Sequence, residues 1–407
     1  MKGFFAESDL IARRPPPALV PRCGLCKLYE TCRSPKMPVD GEGRKQILIV
    51  GEAPGKNEDL RGKPFVGASG EYLQRALRAA GVDLRRDCWI TNALICRPSG
   101  NVIEKPQMVD WCRPNVIKAI TTLKPRVILL LGKRAAKSVL GWLWRPDAAD
   151  QDVHRWVGWQ IPCQKLNAYI CPAWHPAHIL RANDEARGGN EVMERMFAEH
   201  VRAAVALEGR PWPDGPPDHK GKVTVEADPD KAAALLDRLA AGSRPLAVDY
   251  ETTTLKPDGP HARIVSFSAS DGRLTVSCPW AGAVRRAALR LLRSPLPKIA
   301  SNLKFEERWT LKEFGKGVRN WAMDTMQAAH VLDNRRGITS IKFLAWVLLG
   351  EPEWDAHVAP FLHSDAPNLP NRIGEVRLES LLLYGGLDSL LEWKVARKQA
   401  RQLGVRL

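Results

Sequence analysis

Thirteen residues from Gly209 to Gly221, GRPWPDGPPDHKG, carry four prolines and three glycines. Proline removes a backbone donor and clashes with the preceding helical turn, so this stretch cannot continue a helix or a central strand. A helical pattern, EVMERMFAEHVRAAVALEG, stops before it, and a strand-like run, KVTVEA, starts after it. Whatever the chain folds into must therefore be built twice, once on each side. The length agrees, since 407 residues at roughly 150 per domain make two or three domains. The expected layout is an N-terminal arm over 1–20, one domain over 21–208, a linker over 209–221 and a second domain over 222–407. No internal repeat is present.

The first domain alternates apolar runs with helical patterns. QILIVGEAP, DCWITNALI and PRVILLLG read as strands, the last nearly all apolar, as in a parallel strand buried on both faces. GEYLQRALRAAG, QMVDWCRPNVIKAITTL and KRAAKSVLG read as helices between them. This predicts an α/β fold with helices on both faces of a parallel sheet, in three layers. The second domain opens with a helix, PDKAAALLDRLAAG, followed by strands in PLAVDYETTTL and ARIVSFSASDGRLTVSCP, with a DG turn inside the latter. The rest is mainly helical, so this half predicts an α/β fold on a mixed sheet.

The net charge is +16 and the pI about 9.6, which points to a polyanionic partner and above all to nucleic acid. Nine widely spaced cysteines do not make a secreted disulfide framework. The N-terminus lacks the apolar core of a signal peptide, and no apolar run is long enough to span a membrane. The expectation is a cytoplasmic protein with no membrane partner.

Three groups of residues carry chemistry. The first is GEAPGKNEDLRGKPFVG, Gly51 to Gly67, a glycine-rich turn between a strand and a helix, the usual cradle for a phosphate. It lacks the GKS or GKT ending of a nucleotide-phosphate loop, because Lys63 is followed by Pro64. The second is CGLC, Cys23 and Cys26, with Cys96 and Cys112 far downstream; thiolates so arranged suit zinc or an iron–sulfur cluster, and Cys32 is a rival ligand. The third is a set of carboxylates. Asp249 and Glu251 in VDYET alternate onto one face of a strand. Asn302 and Glu306 in NLKFEERW, and Tyr384 and Asp388 in YGGLD, are each spaced to share a helix face. Asp249, Glu251, Glu306 and Asp388 brought together would bind two Mg²⁺ or Mn²⁺ ions, which clamp the attacking and leaving oxygens of a phosphodiester.

In order and spacing, CGLC, GEAPGKNEDLRGKPFVGASG, ITNALICRP, Cys112, PRVILLLGKRAA and AWHPAHILR resemble the family 4 uracil-DNA glycosylases along nearly all of the first domain. The resemblance implies a uracil-DNA glycosylase-like fold carrying a 4Fe–4S cluster held by Cys23, Cys26, Cys96 and Cys112, with Cys32 a bystander. It implies that Phe65 stacks on a flipped uracil and that Asn92 bonds its edge. It also implies that His175 donates to the uracil anion, that Glu52 and Ala53 line the pocket and position water, and that Glu58 and Asp59 orient the loop. Two departures stand out: HPA at 175–177 where the family often has HPS, a tolerated variation, and Asn101-Val102 where it often has Asn-Arg, which weakens a DNA contact. The short segment between Cys96 and Cys112 lacks the basic insertion of relatives that trap uracil covalently, so no trapping is expected.

From Lys222 onward, the order of DxE, NxxxF with an acid, and YxxxD resembles the DEDD-type 3′–5′ proofreading exonuclease domain of family A DNA polymerases, a ribonuclease H-like fold. It implies metal ligation by Asp249, Glu251, Glu306 and Asp388, with Tyr384 orienting or deprotonating the attacking water and Asn302 supporting the site. Glu306 stands where the family usually has Asp. Asp324, in MDTMQAAHVLD, marks a helix start that the family also shows. With no polymerase region following, the expectation is a bifunctional DNA-repair or replication enzyme acting beside a separate DNA polymerase, in a bacteriophage setting. The alternative is an exonuclease whose first domain only binds DNA or docks the polymerase.

Overall fold

The computed structural model describes residues 20–144, 153–185, 190–259, 261–364 and 369–407. The expected arm over 1–20 lies outside the described residues, save Val20. Two compact units meet in sequence at Pro216–Pro217. Among the described residues no helix is long and apolar enough to cross a membrane.

The first unit is a five-stranded sheet: β1 (Ile47–Gly51), β2 (Cys88–Asn92), β3 (Val127–Leu131), β4 (Ile161–Cys163) and β5 (Ala168–Ala173), in the order β2-β1-β3-β5-β4. All pairings are parallel except the β4 edge, which runs antiparallel to β5. ILIVG and VILLL are buried at every position, which explains their unbroken apolar run: each faces helices on both sides. The chain passes from β1 outward to β2, then returns to β3 on the other side of β1. Strand order thus reverses at the C-terminal end of β1, where a parallel sheet opens a crevice for ligands. Gly51 pairs with Asn92 across that end.

The second unit is a six-stranded mixed sheet: β6 (Val223–Val225), β7 (Leu246–Thr252), β8 (Ile264–Ser270), β9 (Thr275–Pro279), β10 (Lys298–Ala300) and β11 (Trp321–Asp324), ordered β11-β10-β7-β8-β9-β6. β7, β8 and β9 form an antiparallel meander; β10, β11 and β6 pair in parallel. The 26-residue helix Leu378–Leu403 packs on this sheet. Two glycines let it come close. Ser268 Oγ donates to the Gly385 carbonyl at 2.8 Å, and a Cβ on Gly386 would stand 2.3 Å from Val223 Cγ1 and 3.2 Å from Ser277 Cβ. This close approach delivers Tyr384 and Asp388 to the carboxylates of β7. Gly386→Ala is therefore expected to overpack the contact, costing about 1–3 kcal/mol. Thermal unfolding checks it: a clear drop in Tm is expected, and an unchanged Tm contradicts the close packing.

The Pro/Gly-rich stretch is anchored at both ends. Asn167 brackets Trp212, accepting its N–H at 3.1 Å and donating to its carbonyl at 2.8 Å, while Arg210 donates to the Asn167 and Lys124 carbonyls. His219, buried in the second unit, pairs with Glu351 at 2.5 Å.

Candidate active sites

At the C-terminal ends of β1, β2 and β3 lies a cavity of about 700 Å³. Glu52, Ala53, Phe65, Asn92 and His175, the five residues expected of this half, all line it. The first glycine of GEAPG makes this possible. A Cβ on Gly51 would sit 2.3 Å from Asn92 Oδ1 and 2.7 Å from Phe65 Cζ, so only glycine lets both side chains reach the cavity.

Phe65 adopts a left-handed backbone, φ +53°, rare for an aromatic residue. Three elements hold it there. Glu58 accepts the N–H groups of Val66 and Gly67 at 3.0 and 2.8 Å with one oxygen, and that of Gly55 at 3.0 Å with the other. From the opposite side, Arg85 donates to the carbonyls of Pro64 and Phe65 at 2.6 and 3.0 Å, and is itself paired with Asp40. Gly70 leaves room for the Phe65 carbonyl, which a Cβ would meet at 2.1 Å. The ring stacks against His175, centroids 6.1 Å apart and 27° between planes.

His175 is half-buried in the cavity wall, and desolvation pushes its pKa below the ordinary imidazole value, against the pull of Glu52. Its Nδ1 accepts the Ala177 backbone N–H at 3.1 Å. The neutral ring then carries its proton on Nε2. Glu52 Oε1 accepts the Arg134 N–H at 3.0 Å at the end of β3, under Gly132, whose φ of +92° and lack of a Cβ admit the carboxylate. Lys56, Lys133, His178 and Arg181 add basic groups to the cavity lining. Asn101 lines it too and accepts from Arg97 Nε at 2.8 Å.

Next to this cavity in sequence, Cys23, Cys26, Cys96 and Cys112 line one small pocket together with Leu28, Leu94 and Trp111. Cys32 is not among its lining residues, but its thiol hydrogen-bonds with that of Cys96 and packs against the same cluster. Lys36 N–H donates to Cys96 Sγ at 3.2 Å, and Asn115 Nδ2 to Cys112 Sγ at 3.4 Å. Burial pushes the Cys96 thiol up to about 12 and the Cys112 thiol to about 11. Buried sulfurs that receive N–H donors suit thiolate ligands, which need a bound cation to ionise here. Asp59 ties this region to the GEAPG loop: its carboxylate accepts the N–H groups of Arg33 and Ser34 at 3.1 and 2.8 Å.

In the second unit, Asp249, Glu251 and Asp388 offer ligand oxygens all within 4.8 Å of one another, the only such group among the described residues. Glu306 is not part of this group. It is buried behind it, 3% exposed, with Oε2 lacking a hydrogen-bond partner; Asp249 Oδ2 also lacks one. Burial and mutual repulsion raise the Asp249 pKa to about 7 and push Glu251 and Glu306 well above the carboxylate range. Such a set fits divalent cations, which supply the missing charge and fill the unpaired lone pairs.

Asn302 and Glu306 do not share a helix face, as their spacing predicted. The helix spans Lys304–Phe314, and Asn302 precedes it with φ +64°. The cause is Asp324, whose two oxygens accept the N–H groups of Asn302 and Leu303 at 3.0 and 3.1 Å and turn the chain left-handed, a conformation Asn tolerates. Sequence reasoning also missed Lys342 and Trp354. Lys342 Nζ bonds Asp388 Oδ1, lies 3.4 Å from the Tyr384 hydroxyl and sits over the Trp354 and Tyr384 rings at 4.1 and 4.3 Å. Trp354 Nε1 donates to the same Asp388 oxygen at 2.7 Å. Nothing in the spacing of ITSIKFLAW or EPEW announces these contacts.

A large cavity at a sheet switch point and an acidic centre on a mixed sheet give the chain two separate candidate sites. The comparisons agree. Residues 38–201 match the uracil DNA glycosylase superfamily model, and residues 223–358 match a 3′-5′ exonuclease model. The type-4 uracil-DNA glycosylase of Pyrobaculum aerophilum is 38% identical over 163 residues, covering 40% of this chain and 82% of that protein. That of Archaeoglobus fulgidus is 39% identical over 160 residues, covering 39% and 78%. Among solved structures, NrnC of Brucella melitensis bound to pGG aligns with 45% of this chain and 79% of its own, at 16% identity and a TM-score of 0.33. Through its first unit, the chain belongs to the type-4 uracil-DNA glycosylase family.

Proposed function

We propose that the chain is a bifunctional DNA-processing enzyme, excising uracil from DNA with its first unit and removing nucleotides from a 3′ end with its second. The observation that carries this is the meeting of Phe65, Asn92 and His175 in one cavity of the first unit, and, separately, of Asp249, Glu251 and Asp388 to within 4.8 Å of one another in the second.

To reach the sugar–base bond, a glycosylase takes the nucleotide out of the stack. The basic groups of the lining attract the flanking phosphates. Phe65, fixed by Glu58 and Arg85, presents its face to the uracil ring. Asn92, with both a donor and an acceptor in its amide, reads the uracil edge. As the bond breaks, negative charge gathers on uracil O2, and the Nε2–H of neutral His175 points a fixed donor at it. Glu52, tied down by the Arg134 N–H, holds the water that completes hydrolysis.

Cys23, Cys26, Cys96 and Cys112 would hold a 4Fe–4S cluster. Among the described residues no three of their sulfurs lie within 4.8 Å of one another, whereas a tetrahedral zinc with bonds of about 2.3 Å needs them about 3.8 Å apart. The donor spread therefore favours the larger group. The role is structural, since Asp59 links this region to the loop that carries Phe65. The expected outcome is a brown protein with broad absorbance near ~400 nm. Colourless protein containing zinc contradicts the assignment.

In the second unit Asp249, Glu251 and Asp388 would hold one divalent cation, with Glu306 serving a second. When bound, such ions activate water and stabilise both oxygens of the displaced phosphodiester. Tyr384, 3.4 Å from Lys342 Nζ on the helix that carries Asp388, would orient the attacking water or help deprotonate it. Both activities clear errors from new strands, chemistry that suits work alongside a DNA polymerase. Release of free uracil from uracil-containing DNA, and Mg²⁺-dependent release of mononucleotides from a 3′-labelled strand, test the two halves separately.

A further inference from the structure

Lys342 is the second residue of the helix Ile341–Leu349, which Ser340 caps by accepting the Phe343 N–H at 3.3 Å. A cation in the first turn meets the positive end of the helix dipole, so this helix gains nothing from it. The side chain is only 17% exposed, and taking an ammonium that far out of water costs free energy. Its place is unfavourable on both counts, so the ammonium is held by what it touches.

Two aromatic faces and two oxygens hold it. Nζ stands 4.1 Å from the centre of the Trp354 ring and 4.3 Å from that of Tyr384, well inside the range where a ring face attracts a cation. It donates to Asp388 Oδ1 and, at 3.4 Å, to the Tyr384 hydroxyl. Trp354, 5% exposed, joins the same group through Nε1, which donates to Asp388 Oδ1 at 2.7 Å. An ammonium has donors only, and an aromatic face attracts it without using any of them. The two rings thus fix where Nζ lies, and its N–H groups reach the two oxygens.

Tyr384 and Asp388 stand one turn apart on the helix Leu378–Leu403, each free by itself to take more than one rotamer. Lys342 comes from another helix and engages both at once. That sets the phenol relative to the carboxylate, and the carboxylate lies within 4.8 Å of the ligand oxygens of Asp249 and Glu251.

We propose that Lys342 is a positioning residue of the exonuclease centre, the cation that holds the Tyr384 hydroxyl and the Asp388 carboxylate in one arrangement. The inference rests on the exonuclease reading of this unit. Trp354 is the support: its ring holds the ammonium, and its N–H holds the oxygen that the ammonium engages.

Steady-state release of mononucleotides from a 3′-labelled strand by the full chain, at fixed Mg²⁺, separates kcat from KM. Thermal unfolding in the same buffer establishes that each variant is folded at the assay temperature. Lys342→Met keeps the length and the apolar stem and removes the charge. It is expected to lower kcat at least about 10-fold, with KM for the strand changed less than about 3-fold. Lys342→Arg returns a cation that can lie on both rings and donate to both oxygens, and is expected to recover a clear part of the lost kcat. Unchanged kcat in Lys342→Met overturns the proposal. So does a rise in KM alone, which would make Lys342 a contact to the strand, and so does an Arg variant no faster than the Met variant. Should Lys342→Met fail to fold, Lys342→Gln, which keeps a donor and gives up the charge, is the second arm with the same expected fall in kcat; unchanged kcat there overturns the proposal equally. Asp249→Asn, assayed alongside, separates the layers. If it keeps Mg²⁺-dependent release, the exonuclease centre itself is misassigned; if it is inactive while Lys342→Met matches the wild type, the role of Lys342 alone fails.

Discussion

His175→Ala is expected to lower uracil release by about 10²–10³-fold, the usual cost of removing one preorganised donor to a developing oxyanion. The 3′-end degradation by the same preparation is expected to be unchanged. The pH dependence carries a sharper test. Because desolvation holds the His175 pKa below its ordinary value, the ring is neutral from alkaline pH down past the usual imidazole range near ~6.5. Protonation at lower pH would place a hydrogen on Nδ1, against the Ala177 N–H that now donates to it. Uracil release by the wild type should therefore fall off with a midpoint below the ordinary imidazole value near ~6.5. A decline centred at or above that value would show that His175 is not held neutral.

Asp249→Asn is expected to reduce exonuclease activity by at least about 10³-fold, since metal-ion stabilisation of a phosphodiester displacement is worth several kcal/mol. Asp249 is the acid shared between the close trio and the Glu306 side, so its loss removes charge from both. Uracil release should be untouched. Substantial remaining Mg²⁺-dependent degradation would refute the site. A fall in both activities would point to a folding defect and be visible in thermal unfolding.

Much of this was legible in the sequence because it depends on local pattern. ILIV and VILLL could only be strands buried on both faces, and VDYET puts two acids on one face of a strand by period alone. The exonuclease spacing failed at Asn302 because periodicity does not register a side chain from another element. Asp324, twenty-two residues on, takes the backbone N–H groups of Asn302 and Leu303 and delays the helix. Arg85, Lys342 and Trp354 were invisible for the same reason: they reach their sites from a turn, a helix and a loop, and none of those segments carries a local pattern that names a distant partner. Gly51 was visible as a turn glycine, yet its purpose was not. It is there to let Asn92 and Phe65 into one cavity, and only the folded chain brings those two to its Cα. β4, three residues long and antiparallel at the edge, gave no periodic signal.

The central claim is that one chain carries two chemistries that differ in their need for metal. A single oligonucleotide with an internal uracil, labelled at its 5′ end, separates them in one assay. In EDTA the chain is expected to convert the strand to an abasic product, seen as alkali cleavage at the uracil, with no shortening from the 3′ end. Added Mg²⁺ is expected to bring a ladder of progressively shorter 5′-labelled products. Absence of alkali-labile product in EDTA at high enzyme, with the Mg²⁺ ladder intact, would contradict the account and leave the first unit a DNA-binding module alone.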